Sequence, residues 1–283
     1  MLLTGKEVAQ AINEKIIKDI DGLYQKGIAP TLAIVRVGEN ESDIAYEKGA
    51  MKKANMLGIK VENFIGKIDI SQEDLVDVIK ALNDNEEIHG ILLLRPLPKN
   101  LDDNIVRNSI CAEKDIDGIS DLSMAGVFTD TSTGYPPCTA TAAVEILKYY
   151  NIQMSGKKVV VIGRSLVIGK PVAMMLLKEN ATVTICHSKT SKDQLEVLCK
   201  DADIIVTAAG KIGTVTKAHV NGEQYLIDVG INFTADGKMV GDANFEAISD
   251  DVKGITPVPG GVGSVTTSIL MKHVVDAATK VSL

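Results

Sequence analysis

The residues whose types and spacing could do chemistry are concentrated in VVVIGRSLVIGKPVAMML (159–176). A strand-like apolar run enters Gly163, and a second glycine, Gly169, opens a helical pattern. Within a strand–helix–strand unit, this turns backbone N–H groups and a helix N-terminus toward a ligand phosphate. The spacing is not G-x-G-x-x-G, so a glycine turn that merely joins strand to helix is the competing reading. The next strand bears on the choice of cofactor. An NAD site usually carries a carboxylate at that strand end to hold the adenosine ribose. Here TVTIC runs into His187, Ser188, Lys189 and Thr190, with no carboxylate before Asp193, and Arg164 and Ser165 stand in the glycine turn itself. A guanidinium, an ammonium and hydroxyls suit a 2′-phosphate, so NADP is the expected cofactor. A solvated surface lysine is the plain alternative for Lys189.

These residues need a scaffold of alternating strands and helices. Thr4 and Glu7 have capping-box spacing ahead of Val8, Ile12, Ile16 and Ile20, which predicts a helix ending near Gly27. TLAIVRV (31–37), IKVENF (59–64) and GILLL (90–94) read as strands, separated by helical patterns over 42–57 and from Ser71 onward. The last of these strands is continuously apolar, as a strand buried on both faces requires. The stretch 114–137 is turn-rich and weakly periodic and reads as a loop passage between domains. A helix from Thr139 to about Tyr150 follows, and a second α/β block begins at KVVVIG (158–163). Its further elements are helices near 169–179 and 191–200 and strands in ATVTIC (181–186), ADIIVTAAG (202–210) and YLIDVGIN (225–232); a last helix spans 264–280. The pattern predicts an α/β protein with parallel sheets.

Composition limits the partners. The 283 residues are 45% hydrophobic and 24% charged, as in an ordinary globular protein, and the net charge of −7 offers no basic stripe for nucleic acid. No apolar run is long enough to span a bilayer, and the N-terminus lacks the pattern of a secretory signal, so a cytoplasmic protein is expected. The four cysteines, at 111, 138, 186 and 199, have no metal-ligand spacing and are expected to be buried free thiols. Nor do the four histidines form a metal or triad pattern, and no metal is expected.

With these residues assembled, the chain resembles the methylenetetrahydrofolate dehydrogenase/methenyltetrahydrofolate cyclohydrolase family over essentially its full length. The matching stretches include Tyr46 in SDIAYEKGAMKKANMLGI, GILLLRPLPKNLD (90–102), EKDIDG (113–118), PPCTATAAVEIL (136–147), GRSLVIGKPVAMML (163–176), ATVTICHSKT (181–190), IDVGIN (227–232) and TPVPGGVGSVTTS (256–268). The resemblance implies two α/β domains around a cleft, the second a Rossmann-type dinucleotide-binding domain, in a homodimer. It places a folate-binding domain at 1–138 with a returning helix at 265–283, and an NADP-binding domain at 139–264. It implies NADP-dependent oxidation of 5,10-methylenetetrahydrofolate, with Tyr46 and Asp117 at the folate. Arg95, Gly260, Gly261, Gly263 and Ser264 join them in substrate binding; Gly163, Arg164, Ser165, Gly169, His187, Ser188, Lys189, Gly210 and Ile231 form the cofactor set. Taken alone, Asp117 is equally a turn residue before Gly118, and Tyr46 a half-buried helix tyrosine.

Two departures bear on the second activity of the family. The lysine usual four residues after the cleft tyrosine is Ala50, and the glutamine that supports it is Leu94 in LRPLP. By helical arithmetic Lys48 and Lys52 point roughly 160° and 120° away from Tyr46, so neither is a simple replacement. Arg95 falls on the opposite strand face from Leu94 by alternation, unless the backbone turns there before Pro96. Hydride transfer needs alignment, whereas adding water and opening a ring needs a positioned acid/base group. Cyclohydrolase activity is therefore expected to be weak or absent, the alternative being a bifunctional enzyme in which Arg95, Lys48 or Lys52 compensates. A non-catalytic NADP(H) sensor is the third reading, and it would have no use for Tyr46, Asp117 or the PGGVG loop.

Overall fold

The computed structural model describes residues 1–281. The elements run α1 (Gly5–Gln25), β1 (Thr31–Val37), α2 (Glu41–Leu57), β2 (Lys60–Gly66), α3 (Gln72–Asp84), β3 (Gly90–Leu93), α4 (Asp103–Arg107), α5 (Asp121–Thr129) and α6 (Cys138–Tyr149). They continue with β4 (Lys158–Ile162), α7 (Gly169–Lys178), β5 (Thr182–Cys186), α8 (Lys192–Lys200), β6 (Ile204–Thr207), β7 (Tyr225–Asp228), β8 (Asn232–Phe233), β9 (Met239–Val240), α9 (Phe245–Ile248), β10 (Gly254–Ile255) and α10 (Val262–Val281). The chain forms two compact units, one of residues 11–138 with Thr267 onward, the other of residues 1–10 with 139–266.

In the first unit β1 lies between β2 and β3, all parallel. Every residue of β1 is buried, which is why TLAIVRV shows no alternation. Its core joins Val35, Ile91 and Leu93 of the sheet to Leu75 and Ile79 of α3 and to Val106 and Ile110. At the start of α1 the Thr4 hydroxyl donates to the Glu7 carboxylate, a side-chain pair in place of the reciprocal backbone bonds of a capping box. Ser71 accepts from the Asp74 amide at 3.0 Å to start α3, and Gly27, at φ 79, follows the end of α1. The turn-rich passage, by contrast, contains α5, begun by the Ser120 side chain accepting from the Ser123 amide. Its buried residues are Ser123 and Gly126 while Leu122 and Phe128 are exposed, so no apolar stripe marks it in the sequence.

The second unit carries a five-stranded parallel sheet in the order β10-β7-β6-β4-β5, with a short β8–β9 hairpin beside it. Val160, Ile162, Ile205, Leu226 and Ile255 fill its core. The first ten residues group with this unit. Leu3 donates to the Ile255 carbonyl at 2.9 Å and Ile255 to that of Met1 at 3.0 Å, so the N-terminal segment satisfies the open side of β10. The expected domain end at 283 lies outside the described residues. All four cysteines are free; Cys111 is half-buried, and the others are buried as expected. No helix among the described residues is long and apolar enough to cross a membrane.

One buried ion pair anchors α2 to β1. Arg36 Nε donates to Glu47 Oε2 at 2.5 Å, each side chain 9% exposed, and Asn63 Nδ2 donates to the other carboxylate oxygen at 2.7 Å. Removing one partner leaves a buried charge unpaired, which typically costs about 3–5 kcal/mol. Glu47→Ala should therefore lower the urea midpoint of the first unit sharply. Replacing both partners with methionine should be close to neutral, and a double variant as unstable as Glu47→Ala would contradict this account.

Candidate active site

In the second unit, β5 lies on one side of β4 and β6 on the other, so the strand order reverses between β4 and β6. A crevice at the carboxyl ends of such strands is where α/β sheets receive ligands. Gly163 and Gly169 build its floor. A Cβ on Gly163, at φ 136, would collide with the Ala208 carbonyl, and one on Gly169 with the Gly163 carbonyl. No side chain caps α7, but Lys170 N–H donates to the Ser165 carbonyl at 3.0 Å and Pro171 carries no N–H, so the Gly169 amide is the one left available to an anion. Arg164 and Ser165 are exposed in the turn, and the Ser165 hydroxyl accepts from the Ile168 amide at 3.2 Å.

After β5, the turn 187–190 is closed by two bonds: His187 N–H to the Thr190 hydroxyl at 3.0 Å, and Thr190 N–H to the His187 carbonyl at 2.8 Å. His187 Nδ1 accepts from the Lys189 amide at 3.2 Å, which assigns the ring proton to Nε2. Ser188 and Lys189 are exposed, and among the described residues neither Lys189 nor Arg164 forms an ion pair. Gly210, at φ 63, follows β6, and Ile231, 59% exposed, follows β7. Glycine clearance, an uncapped helix start and uncompensated cations together fit a phosphorylated dinucleotide. The PGGVG loop is partly structural: Gly260 O accepts from the Gly5 amide at 2.8 Å and Gly261 O from the Ser264 amide at 3.0 Å. Gly263 and Ser264 are exposed at the start of α10.

In the first unit the strand order reverses between β1 and β3, and the other candidate residues gather beyond it. Asp117 follows a turn whose amides are accepted by a different carboxylate. Asp115, fully buried, accepts from Ile119 N–H at 3.0 Å, Ser120 N–H at 2.8 Å and the Ser123 hydroxyl at 2.6 Å. The turn-capping role open to Asp117 in the sequence thus falls to Asp115. The Asp117 carboxyl instead lies in hydrogen-bond contact with the Cys138 thiol. Desolvation, reinforced by the charge of Asp115, pushes it up to about 7, against smaller lowering by Cys138 and Arg95. The Tyr46 phenol is also pushed up, first by burial and then by Asp117 and Cys138, although the residue as a whole stays 40% exposed.

Behind this group, Cys138 Sγ lies 3.3 Å and His273 Nδ1 2.8 Å from the Ile116 carbonyl oxygen. Burial holds His273 neutral by pushing it down to about 4, with its ring 4.9 Å from that of Tyr135. The sequence marks no site role for Asp115 or Cys138, and in it His273 reads as a structural or surface residue. Only the paired carboxylates of KDIDG offered a signal for the first.

Ala50 is 2% exposed and Leu94 5% exposed, so apolar groups fill both positions where the family resemblance expects polar ones. Arg95 is exposed and lies beyond the end of β3 at Leu93, where the chain has left the strand ahead of Pro96. Its guanidinium is held by Asp103 on both edges, Nε to Oδ1 at 2.6 Å and Nη2 to Oδ2. Lys48 and Lys52 are exposed. Lys53 had escaped notice. Seven residues beyond Tyr46, it returns to within about 20° of the same helix face. It is half-buried, and burial pushes its ammonium down.

Comparison with known proteins agrees with this geometry. A family model described as the catalytic domain of tetrahydrofolate dehydrogenase/cyclohydrolase matches residues 3–117, and one described as its NAD(P)-binding domain matches 137–282. A curated relative from Alkaliphilus oremlandii, named bifunctional protein FolD, is 50% identical over 276 residues, covering 98% of this chain and 96% of its own. A solved bifunctional FolD methylenetetrahydrofolate dehydrogenase/cyclohydrolase from Campylobacter jejuni is 36% identical with a TM-score of 0.95, covering 99% of both chains. A Trypanosoma brucei methylenetetrahydrofolate dehydrogenase-cyclohydrolase, solved with NADP cofactor and inhibitor, is 31% identical with a TM-score of 0.93, covering 100% of this chain and 98% of its own. The chain belongs to the tetrahydrofolate dehydrogenase/cyclohydrolase family.

Proposed function

We propose that this protein oxidises 5,10-methylenetetrahydrofolate to 5,10-methenyltetrahydrofolate using NADP⁺, and hydrolyses the product weakly or not at all. NADP⁺, when bound, accepts the hydride. The residues of this chain then have to bind, orient and balance charge. Arg164, Ser165, Ser188 and Lys189 would hold the 2′-phosphate, and the Gly163–Gly169 turn and the start of α7 the pyrophosphate. Asp117 would accept from the donor edge of the pterin, and Tyr46 would orient the ring system. No protein base is required, because the adjacent nitrogens of the substrate stabilise the cation formed. Family resemblance also supports a homodimer.

The weak hydrolysis is argued from Ala50 and Leu94, buried and apolar at 2% and 5% exposure. Loss of a positioned acid/base group typically costs about 10²–10⁴-fold in rate. Arg95, always protonated and engaged by Asp103, can balance charge but cannot shuttle a proton. One observation favours a bifunctional reading: Lys53 lies on the Tyr46 face with an ammonium destabilised by burial.

Three outcomes follow. The decay of methenyltetrahydrofolate absorbance, corrected for spontaneous hydrolysis, should be near background in the wild type and should rise when Ala50→Lys is combined with Leu94→Gln. Wild-type hydrolysis comparable with the dehydrogenase rate, and lost in Lys53→Met, would establish the bifunctional reading instead. Arg164→Ala should raise the KM for NADP⁺ about tenfold or more while leaving that for NAD⁺ nearly unchanged, since it removes one charge-assisted phosphate contact. Equal wild-type use of both cofactors would refute the assigned 2′-phosphate site.

The third outcome concerns pH. Because only ionised Asp117 can accept two pterin donors, and its carboxyl titrates at about 7 in the free protein, folate affinity should strengthen as pH rises through 7 and then level off. Below that point the folate KM should rise about tenfold per pH unit. Asp117→Asn should bind folate weakly at every pH, with NADP⁺ binding retained. A wild-type profile flat between pH 6 and 8 would remove Asp117 from the pterin.

A further inference from the structure

Two loops border the candidate cofactor crevice of the second unit, residues 208–211 after β6 and 229–232 after β7, and both are fastened to one buried side chain. Asp242, fully buried just beyond β9, accepts from three successive amides: Ala209 at 2.6 Å, Gly210 at 3.1 Å and Lys211 at 2.9 Å. The Thr207 hydroxyl at 3.2 Å and Asn232 Nδ2 at 2.9 Å complete its set of donors. A Cβ on Gly230 would collide with the same carboxylate, so the second loop closes directly against it. Consecutive amides converging on one anion form a nest of the kind that binds phosphate. Here the protein supplies the anion itself.

Asp242 is fixed in turn. Its amide donates to Asp228 Oδ1 at 3.0 Å, and its carbonyl accepts from Thr214 N–H at 2.8 Å. Asp228, 3% exposed, also accepts from Gly230 N–H at 3.0 Å and Ala243 N–H at 2.8 Å. Among the described residues no lysine or arginine side chain pairs with either carboxylate. Neutral donors balance the charge of Asp242: three amides of the loop that carries Gly210, the Thr207 hydroxyl, and the Asn232 side chain of the loop that carries Ile231.

We infer that Asp242 is a positioning residue for the dinucleotide, holding the loops after β6 and β7 in the conformation that receives it. The inference rests on the reading of this crevice as the NADP⁺ site. Asp242 does not touch the ligand. It fixes which way the 208–211 backbone presents its remaining groups, and an amide in its place would face donors with donors at one or more of these contacts.

The test is steady-state kinetics of purified Asp242→Asn and Thr207→Val, with NADP⁺ and methylenetetrahydrofolate varied in turn and thermal midpoints measured in parallel. Asp242→Asn should raise the KM for NADP⁺ about tenfold or more, with the folate KM and the kcat at saturating NADP⁺ little changed. Thr207→Val, which keeps side-chain volume and removes one donor, should raise the same KM by a few-fold, and it carries the test if Asp242→Asn does not fold. A lowered midpoint with an unmoved NADP⁺ KM in the folded variants would make Asp242 merely structural and overturn the inference. Wild-type protein that fails to bind NADP⁺ would overturn the cofactor reading and this role together, whereas wild-type binding with an unmoved variant KM would overturn the role alone.

Discussion

Parallel strands end with polar backbone groups that no neighbouring strand satisfies, and in this protein buried carboxylates answer that constraint. Where the strand order reverses, the chain leaves two strands in opposite directions, and the loops there need partners before they can hold a shape. Asp115 supplies them beyond β3, and Asp242 with Asp228 beyond β6 and β7. Each accepts from two or more backbone amides, so each orders a loop with its own oxygens. The desolvation cost of a buried carboxylate falls as the number of N–H donors aimed at it rises. Asp228 shows where the compensation runs short: three amide donors oppose burial and the neighbouring charge of Asp242, and its carboxyl still rises to about 6.

The same economy of positive charge shapes the folate side. Asp115 uses its donors to build the turn and leaves its negative charge beside Asp117, whose own hydrogen-bond contact is a thiol. A carboxyl so placed is easily protonated until a ligand brings donors to it. Its affinity for a donor edge is thereby coupled to proton release, which a carboxylate already paired with arginine would not show. Arg95 stands near enough to lower Asp117 slightly, but its fork is turned to Asp103.

Much of this was legible in the sequence wherever local chemistry and long-range packing agree. The buried strands, the Ser71 cap, the glycine turn at 163–169 and the absence of a carboxylate after β5 could all be read directly. Reading failed where packing ran against pattern. The inward residues of α5 are Ser123 and Gly126, so its helical period is written in small residues that periodicity arguments ignore. The first ten residues join the distant β10 through backbone hydrogen bonds, which leave no side-chain signature. Asp242 was invisible for a related reason, since its partners are amides 31 to 33 positions earlier in the chain. Lys53 stands seven residues beyond Tyr46, a spacing the sequence carries, but its half-burial comes from packing that the spacing alone does not reveal.

On the proposed reading, hydride transfer and hydrolysis call on separable residues, and Ala50 and Leu94 bear on hydrolysis alone. Orientation rests on loops fixed by buried carboxylates and on α2, itself anchored through Glu47 and Arg36. None of that passes through Ala50 or Leu94, which contribute buried apolar volume. A buried lysine with a glutamine to orient it needs compensating donors and acceptors, and removing the pair together avoids the half-satisfied polar group that either single loss would leave. With Ala50 and Leu94 both buried and apolar, neither position holds such a group.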